Sequence, residues 1–299
     1  MVREVLAYLK PERGGTYFDG TLGGGGHSEA ILSASSGVRL IAVDQDTEAH
    51  DVAGRRLERF GDRVHLVHAN FAVAAEEVAS PLAGALLDLG LSSHQIDEAA
   101  RGFSFRPGTP LDMRMFPAAP RPTAADLLNE LPEEALADIF YRYGEERRSR
   151  RLARALVSRR RGAPFRTSDD LNAVLDAVLG RGRSLEPADR ARLYQALRIA
   201  VNEELPALER ALPALRDALA PVGVMVVLSY HSLEDRLVKD AFREWSRSCI
   251  CPPELPVCVC RGVALGEALT RKPVMAGEAE IAANPRARSA RLRAWRKAA

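Results

Sequence analysis

Residues 16–28 run Thr16-Tyr17-Phe18-Asp19-Gly20-Thr21-Leu22-Gly23-Gly24-Gly25-Gly26-His27-Ser28. Tyr17 and Phe18 predict a short buried strand. The four consecutive glycines predict a turn that bends sharply and leaves its amides bare. Ser28-Glu29-Ala30-Ile31-Leu32 then predicts the first turn of a helix, with Ser28 or His27 near its cap. Strand, glycine turn and helix start together lay backbone N–H groups and a helix dipole beneath a nucleotide-like ligand, because a Cβ would hold that ligand off the backbone. A glycine run is equally compatible with a plain flexible turn, so the flanking segments carry the decision.

Val5, Leu6 and Leu9 stand at helical spacing ahead of this turn, predicting a helix over residues 2–10 that ends near Pro11. Beyond it, Val38-Arg39-Leu40-Ile41-Ala42-Val43 is an apolar, β-branched run closed by Asp44-Gln45-Asp46, as in a buried parallel strand. Asp44 lies about 20 residues past the glycine turn, where a carboxylate accepts hydrogen bonds from ribose hydroxyls. A helix cap is the other reading of Asp44. An amphipathic helix over 48–60 stops at Gly61, and Arg63–His68 alternates into a third strand ending at Ala69-Asn70-Phe71. Phe71 suits either a purine face or the core. Gly84–Gly90 is a fourth strand, apolar until Asp88. Strands alternating with helices, with carboxylates at strand ends, predict an α/β doubly wound sheet whose site lies at those ends.

The pattern changes after Arg101-Gly102-Phe103-Ser104-Phe105-Arg106. A link carrying Pro107, Pro110, Pro117, Pro120 and Pro122 leads into residues 123–195, which have helical spacing throughout. This predicts an inserted all-helical domain over 106–195, with the sheet domain split into 1–105 and 196–299. An insertion without strands does not extend the sheet, so substrate recognition or closure is its expected job. It holds the densest basic cluster: Arg147, Arg148, Arg150, Arg151, Arg154, Arg159, Arg160 and Arg161. A solvated helix face and a phosphate-binding surface both fit.

The sheet resumes after two helices, the second kinked at Pro213, with a fifth strand over Val222–Leu228. It runs into Ser229-Tyr230-His231-Ser232-Leu233-Glu234-Asp235-Arg236. Ser232 and Asp235 resemble a capping box, which places His231 on the same rim as Asp44 and Asp88, as a core histidine or a site residue. Ala290–Trp295 alternates with arginines, as in an edge strand with one wet, basic face.

The 299 residues suffice for one large core or two modest ones. A formal net charge of +2 excludes a bulk polycation, so any nucleic-acid surface must come from local arginine clustering. With no signal-peptide core and no membrane-length apolar run, the expected location is the cytoplasm, with no membrane partner. All 4 cysteines lie in Cys249-x-Cys251 and Cys258-x-Cys260, spaced as C-x-C rather than the C-x₂-C usual for zinc. A metal site and a metal-free thiol loop both remain open, and no metal is assigned to the reaction site.

The segments taken together resemble the RsmH (also called MraW) family. Its carriers include the glycine run Asp19–Ser28, Ala42-Val43-Asp44, Asn70-Phe71, Leu87-Asp88-Leu89-Gly90-Leu91-Ser92-Ser93, Arg101–Arg106, Leu111-Asp112-Met113-Arg114-Met115, Tyr143-Gly144-Glu145-Glu146-Arg147, Gln195–Asn202, Ser229–Arg236 and Asn284–Ser289. The family's His-Pro before a long helix is Glu186-Pro187 here, and its Asp-Gly is Gly108-Thr109. The resemblance implies a class I (Rossmann-like) S-adenosyl-L-methionine-dependent methyltransferase sheet. It implies methylation of a cytosine N4 in the decoding region of 16S ribosomal RNA, in the small subunit. By the same resemblance Gly25, Gly26, His27, Asp44, Phe71, Asp88 and Gln95 are the cofactor contacts. A homodimer is left open.

Cytosine N4 shares its lone pair with the ring, so an acceptor that orients the amine matters more than a strong base. Asp88, Ser92 and His231 are the catalytic candidates, with Tyr230 beside them. Amino methyltransferases often carry Asp/Asn-Pro-Pro-aromatic after the fourth strand, whereas Asp88-Leu89-Gly90-Leu91 stands here. Two other classes share parts of the pattern. A nicotinamide dehydrogenase shares the glycine turn and Asp44, but Ser28 falls where its last glycine belongs. A non-catalytic RNA-binding factor shares the arginines but needs no carboxylates along the strand rim.

Overall fold

The structure is a computed structural model that describes residues 1–78, 81–92, 95–96, 98–180, 184–252, 257 and 259–299. The chain forms two compact units, Met1–Gly90 with Leu205–Ala299, and Leu91–Glu204.

The first unit opens with α1 (Val2–Leu9), β1 (Gly15–Asp19), α2 (Gly26–Ser33), β2 (Val38–Asp44), α3 (Thr47–Leu57), β3 (Val64–His68), α4 (Phe71–Glu77) and β4 (Leu82–Asp88). The second unit consists of α5 (Ala124–Glu130), α6 (Glu133–Arg142), α7 (Ser149–Arg160), α8 (Ser168–Leu179) and α9 (Pro187–Asn202), with loops before and between them. The chain then returns through α10 (Glu204–Ala218), β5 (Leu219–Ser229), α11 (Ser232–Trp245), β6 (Gly266–Ala268), β7 (Val274–Met275), α12 (Glu278–Ala283) and β8 (Arg291–Lys297).

Among the described residues the sheet has eight strands in the order β3-β2-β1-β4-β5-β8-β6, with β7 also pairing β8. The pairs from β3 to β5 are parallel, and β8 runs antiparallel to β5. Strand order reverses between β1 and β4, the switch point at whose C-terminal strand ends doubly wound sheets bind their ligands. Both faces are apolar because helices cover both. Tyr17, Leu40, Leu86 and Val226 point to one core with Val5, Ile31 and Leu57. Phe18, Val43, Leu87 and Val227 point to the other with Ala75, Leu212 and Phe242.

The helical unit has its own core, in which Leu128, Phe140, Leu152, Leu156, Leu175 and Leu197 are fully buried. It begins before residue 106 because Phe103 and Phe105 pack on that core. It continues past residue 195 because α9 runs unbroken to Asn202, with Val201 buried. Capping boxes at Thr123–Asp126 and Thr167–Asp170 start α5 and α8.

Three local expectations are corrected. The C-terminal strand is not an edge: β8 pairs β5 on one side and β6 and β7 on the other. Its basic face is not wet, since Arg293 Nε and Nη2 donate to Asp235 at 2.6 and 3.1 Å, and Trp295 is buried against Trp245. Gly25, not Ser28 or His27, caps α2, with a φ of +75° that glycine adopts without a Cβ penalty. The α11 capping box is His231 with Glu234, one residue earlier than Ser232 with Asp235, because Asp235 is engaged by Arg293. No helix among the described residues is long and apolar enough to cross a membrane.

Candidate cofactor and active site

The glycine turn is held at both ends by Asp19, a carboxylate only 1% exposed. Its Oδ1 accepts the Thr21 amide at 3.1 Å and its Oδ2 accepts the Ser28 hydroxyl at 2.7 Å. Burial holds the Asp19 pKa above the usual carboxylate range, against the pull of the Ser28 hydrogen bond and of His27. The turn is also knitted to β2: Leu22 N–H donates to Val43 O at 2.9 Å, and Gly23 N–H to Asp44 Oδ2 at 2.8 Å. Gly25 N–H closes the bend onto Leu22 O at 2.8 Å. The next amides, at Gly26, His27 and Ser28, belong to the first turn of α2 and so have no acceptor within the helix. A Cβ placed on Gly24 would meet nothing within 4 Å. At Gly24 the bend faces open space, as a cradle for a ligand requires, while Arg56 Nη1 holds the Gly24 carbonyl at 2.7 Å and Ala53 backs Gly25.

Asp44 closes β2. Its Oδ1 accepts the Asp46 amide at 2.9 Å while Oδ2 holds Gly23. Burial raises its pKa, and the two backbone hydrogen bonds only partly reverse this. The α3 cap is Asp46, whose carboxylate accepts Glu48 N–H at 3.1 Å, so the helix-cap alternative belongs to Asp46 rather than Asp44. A carboxylate has about four acceptor positions, so Asp44 keeps capacity for hydroxyl donors. Phe71 is the first residue of α4, after the Asn70 cap; it is half-buried and packs on the α10-side core.

Asp88 closes β4 and is the centre of a converging group. Its N–H donates to Thr21 Oγ1 at 2.6 Å. The Tyr230 hydroxyl donates to its Oδ1 at 2.8 Å, and its Oδ2 stands 3.5 Å from His27 Nε2. Burial disfavours the His27 cation, but the hydrogen bond and charge of Asp88, helped by Asp19, outweigh it and raise the His27 pKa. His27 Nδ1 is buried and has no hydrogen-bond partner among the described residues. Burial, then the Asp88 charge, push the Tyr230 phenol well above its ordinary value, so Tyr230 remains a proton donor at neutral pH. This group is a fixed acceptor with one oxygen oriented by Tyr230 and the His27 ring at the other.

His231, a catalytic candidate from the sequence, stands between the end of β5 and the start of α11. It caps α11: Glu234 N–H lies 3.4 Å from its Nδ1, and its Nε2 is 3.0 Å from Glu234 Oε1. Buried Glu234 in turn accepts Tyr230 N–H at 2.9 Å, so the cap sets the backbone from which Tyr230 reaches Asp88. Ser92 and Gln95 lie in the helical unit and engage each other. Ser92 N–H donates to Gln95 Oε1 at 3.0 Å and Gln95 N–H to Ser92 Oγ at 3.2 Å. Ser93 lies outside the described residues. Asp19 and Thr21 were missed as site residues, although Asp19 is a strand-end carboxylate like Asp44 and Asp88, and the same rule identifies it.

The arginine cluster of the helical unit splits by face. Leu152 and Leu156 turn inward with Ser149 and Ala153. Arg160 Nη1 donates to the carbonyls of Leu128 and Leu131 at 2.9 and 2.7 Å, closing the end of α5. Arg159 pairs with Asp170 at 2.9 Å and Arg148 reaches Leu179 O at 3.3 Å. Arg147, Arg150, Arg151 and Arg161 are exposed and make no ion pair among the described residues. Three of the eight staple the unit internally, and the outward stripe is what a polyanion could meet.

The family described as the MraW methylase family matches residues 1–298. A protein of Heliobacterium modesticaldum, named Ribosomal RNA small subunit methyltransferase H, is 50% identical over 304 aligned positions, covering 99% of this chain and 97% of that protein. One of the same name from Gemmatimonas aurantiaca is 55% identical, covering 95% and 90%. Among solved structures, an rRNA methylase from Streptococcus thermophilus covers 100% of this chain and 96% of its own, at 10% identity and a TM-score of 0.43, too remote a likeness to bear on the site.

Proposed function

Because the chain belongs to the MraW methylase family, we propose that it transfers a methyl group from S-adenosyl-L-methionine to the N4 of a cytosine in 16S ribosomal RNA of the small subunit. The observation that carries this reading is the convergence of the open glycine bend, Asp44 and the Asp88–Tyr230–His27 group on neighbouring strand ends at the sheet's switch point. When bound, the cofactor supplies an activated methyl on a cationic sulfur. The residues present fit it: the backbone of the bend at Gly25 with the first-turn amides of Gly26 and His27, the Asp44 carboxylate for hydroxyls, and the half-buried ring of Phe71 for a purine face. Gln95 joins this set by the family resemblance.

Asp88 is the acceptor for the exocyclic amine. Holding the N4 protons turns the nitrogen lone pair to the reacting carbon, an effect of orientation that requires no strong base. Tyr230 is a positioning residue that fixes one Asp88 oxygen, and the His27 ring faces the other. Ser92 remains a candidate on the substrate side, while His231 acts through the α11 cap. The exposed arginines of α7 give the RNA backbone its contacts.

The test is methyl transfer from labelled cofactor to small subunits from a strain lacking the enzyme, with the modified base identified by mass spectrometry. Asp88→Ala is expected to abolish transfer, and Tyr230→Phe to reduce it about 10-fold or more, as loss of a charge-assisted hydrogen bond predicts. Full rate in both variants, or label at a ring carbon, would overturn the reading.

A further inference from the structure

We propose that Cys249, Cys251 and Cys260 form a thiolate site for a zinc ion in the loop between α11 and β6. The sulfurs of these three residues all lie within 4.8 Å of one another. Cys249 Sγ and Cys260 Sγ are 3.9 Å apart. Two sulfurs on one tetrahedral zinc, each about 2.3 Å from the metal, stand about 3.8 Å apart, whereas a disulfide brings them to about 2.05 Å. The observed separation matches that of two ligands of one ion without movement of the chain.

Backbone amides already point at the sulfurs. Ile250 N–H lies 3.3 Å from Cys260 Sγ, and Val259 N–H lies 3.4 Å from Cys251 Sγ. Each strand of the loop thus donates to a sulfur on the other, and such donors favour the charged thiolate that a metal requires. In the C-x-C spacing, side chains two residues apart in non-helical chain share a side, so the unusual spacing does not prevent convergence.

The described residues of the loop lack the apolar burial that would otherwise gather three thiols. Ile250, Val257, Val259 and Val263 are all exposed. Its base is held by Arg261, which donates to Glu244 Oε1 at 2.7 Å and to the carbonyls of Glu244 and Arg247. Segments that cannot bury a core are commonly cross-linked by metal instead. As each S–Zn bond forms, its thiol gives up a proton to solvent, and no electron is exchanged. The remaining cysteine, Cys258, lies outside the described residues. The site takes no part in the reaction proposed above.

The full chain is purified without chelator, passed over a desalting column and analysed by plasma mass spectrometry. About one zinc per chain is expected, falling by more than about 5-fold in Cys249→Ser and in Cys260→Ser. A chain that stays zinc-free after incubation with zinc chloride overturns the proposal, as does zinc that both variants retain. Wild-type chain reloaded with Co²⁺ provides a measure that needs no variant. Intense thiolate-to-cobalt charge transfer is expected, and weak ligand-field bands alone overturn the assignment.

Discussion

Gly24 and Gly20 lie four residues apart and carry opposite constraints. A Cβ on Gly20 would come within 2.5 Å of Leu87 Cδ2 and 2.9 Å of Phe18 Cε1. Gly20→Ala is therefore expected to destabilise the fold by about 1–3 kcal/mol through overpacking. A Cβ on Gly24 meets open space, so Gly24→Ala should change stability by less than about 1 kcal/mol. It should nonetheless weaken S-adenosylmethionine binding about 10-fold or more if the backbone approaches the ligand there. Urea denaturation and calorimetry on both variants separate the two effects, and unchanged affinity in Gly24→Ala would remove the cradle from this bend. His27 makes a pH-dependent contribution of known sign. Its folded pKa is raised, so its stabilisation is fully present below the unfolded value of about 6.5 and is lost as pH rises through the folded pKa. The stability gap between wild type and His27→Gln should therefore be larger at about pH 5.5 than at about pH 8.5, where denaturation midpoints can be compared. The site carboxylates were legible because strand-end acids follow apolar runs. Tyr230 as the partner of Asp88 was not, because 142 positions separate them and only pairing of β4 with β5 brings them together.

Among the elements, β8 shows how far local pattern carries. Its alternation of small apolar residues with arginine and tryptophan is real, and Leu292 and Ala294 do face one core. The other side is covered by α11, where Trp295 meets Phe242 and Trp245 and Arg293 meets Asp235, while two very short strands, β6 and β7, pair with the free edge of β8. Strands of three and two residues leave no apolar run to recognise, so the edge reading was natural and incorrect. The buried face is affordable to the fold only because Arg293 is matched by Asp235 on α11. Removing one member of such a buried pair leaves an uncompensated charge, so Arg293→Ala should cost about 3 kcal/mol or more in urea denaturation. His231→Ala should cost about 1 kcal/mol as a lost helix cap. Its methyl-transfer rate, measured well below the unfolding temperature, should remain within about 10-fold of wild type, in contrast to Asp88→Ala.

For the molecule as a whole, a net charge of +2 means that attraction to RNA depends on where charge is exposed. The outward stripe on the helical unit is the concentrated source. Replacing Arg147, Arg150 and Arg151 with alanine should lower affinity for ribosomal RNA and flatten the log–log salt dependence by about 2–3, at about 0.7–0.9 per lost phosphate contact. Thermal stability should stay near wild type, since none of the three makes an ion pair among the described residues. Arg160→Ala should do the reverse, lowering the melting temperature by releasing the carbonyls of Leu128 and Leu131 while leaving the salt slope unchanged. Filter binding across a potassium chloride series and calorimetry resolve the two classes. A sequence run of arginines cannot distinguish them, because helical phase and the partners across the bundle assign each guanidinium its role.

The sequence by itself determined the parallel strands, the glycine bend, the acids at strand ends and the helical insertion. Each of these is written in local periodicity and in residue types whose backbone preferences are strong. Tertiary structure decided which acid meets which donor, that His231 serves a helix cap, that β8 is interior, and that three cysteine sulfurs converge. These are long-range pairings, set by strand register and helix packing, and spacing along the chain does not encode them.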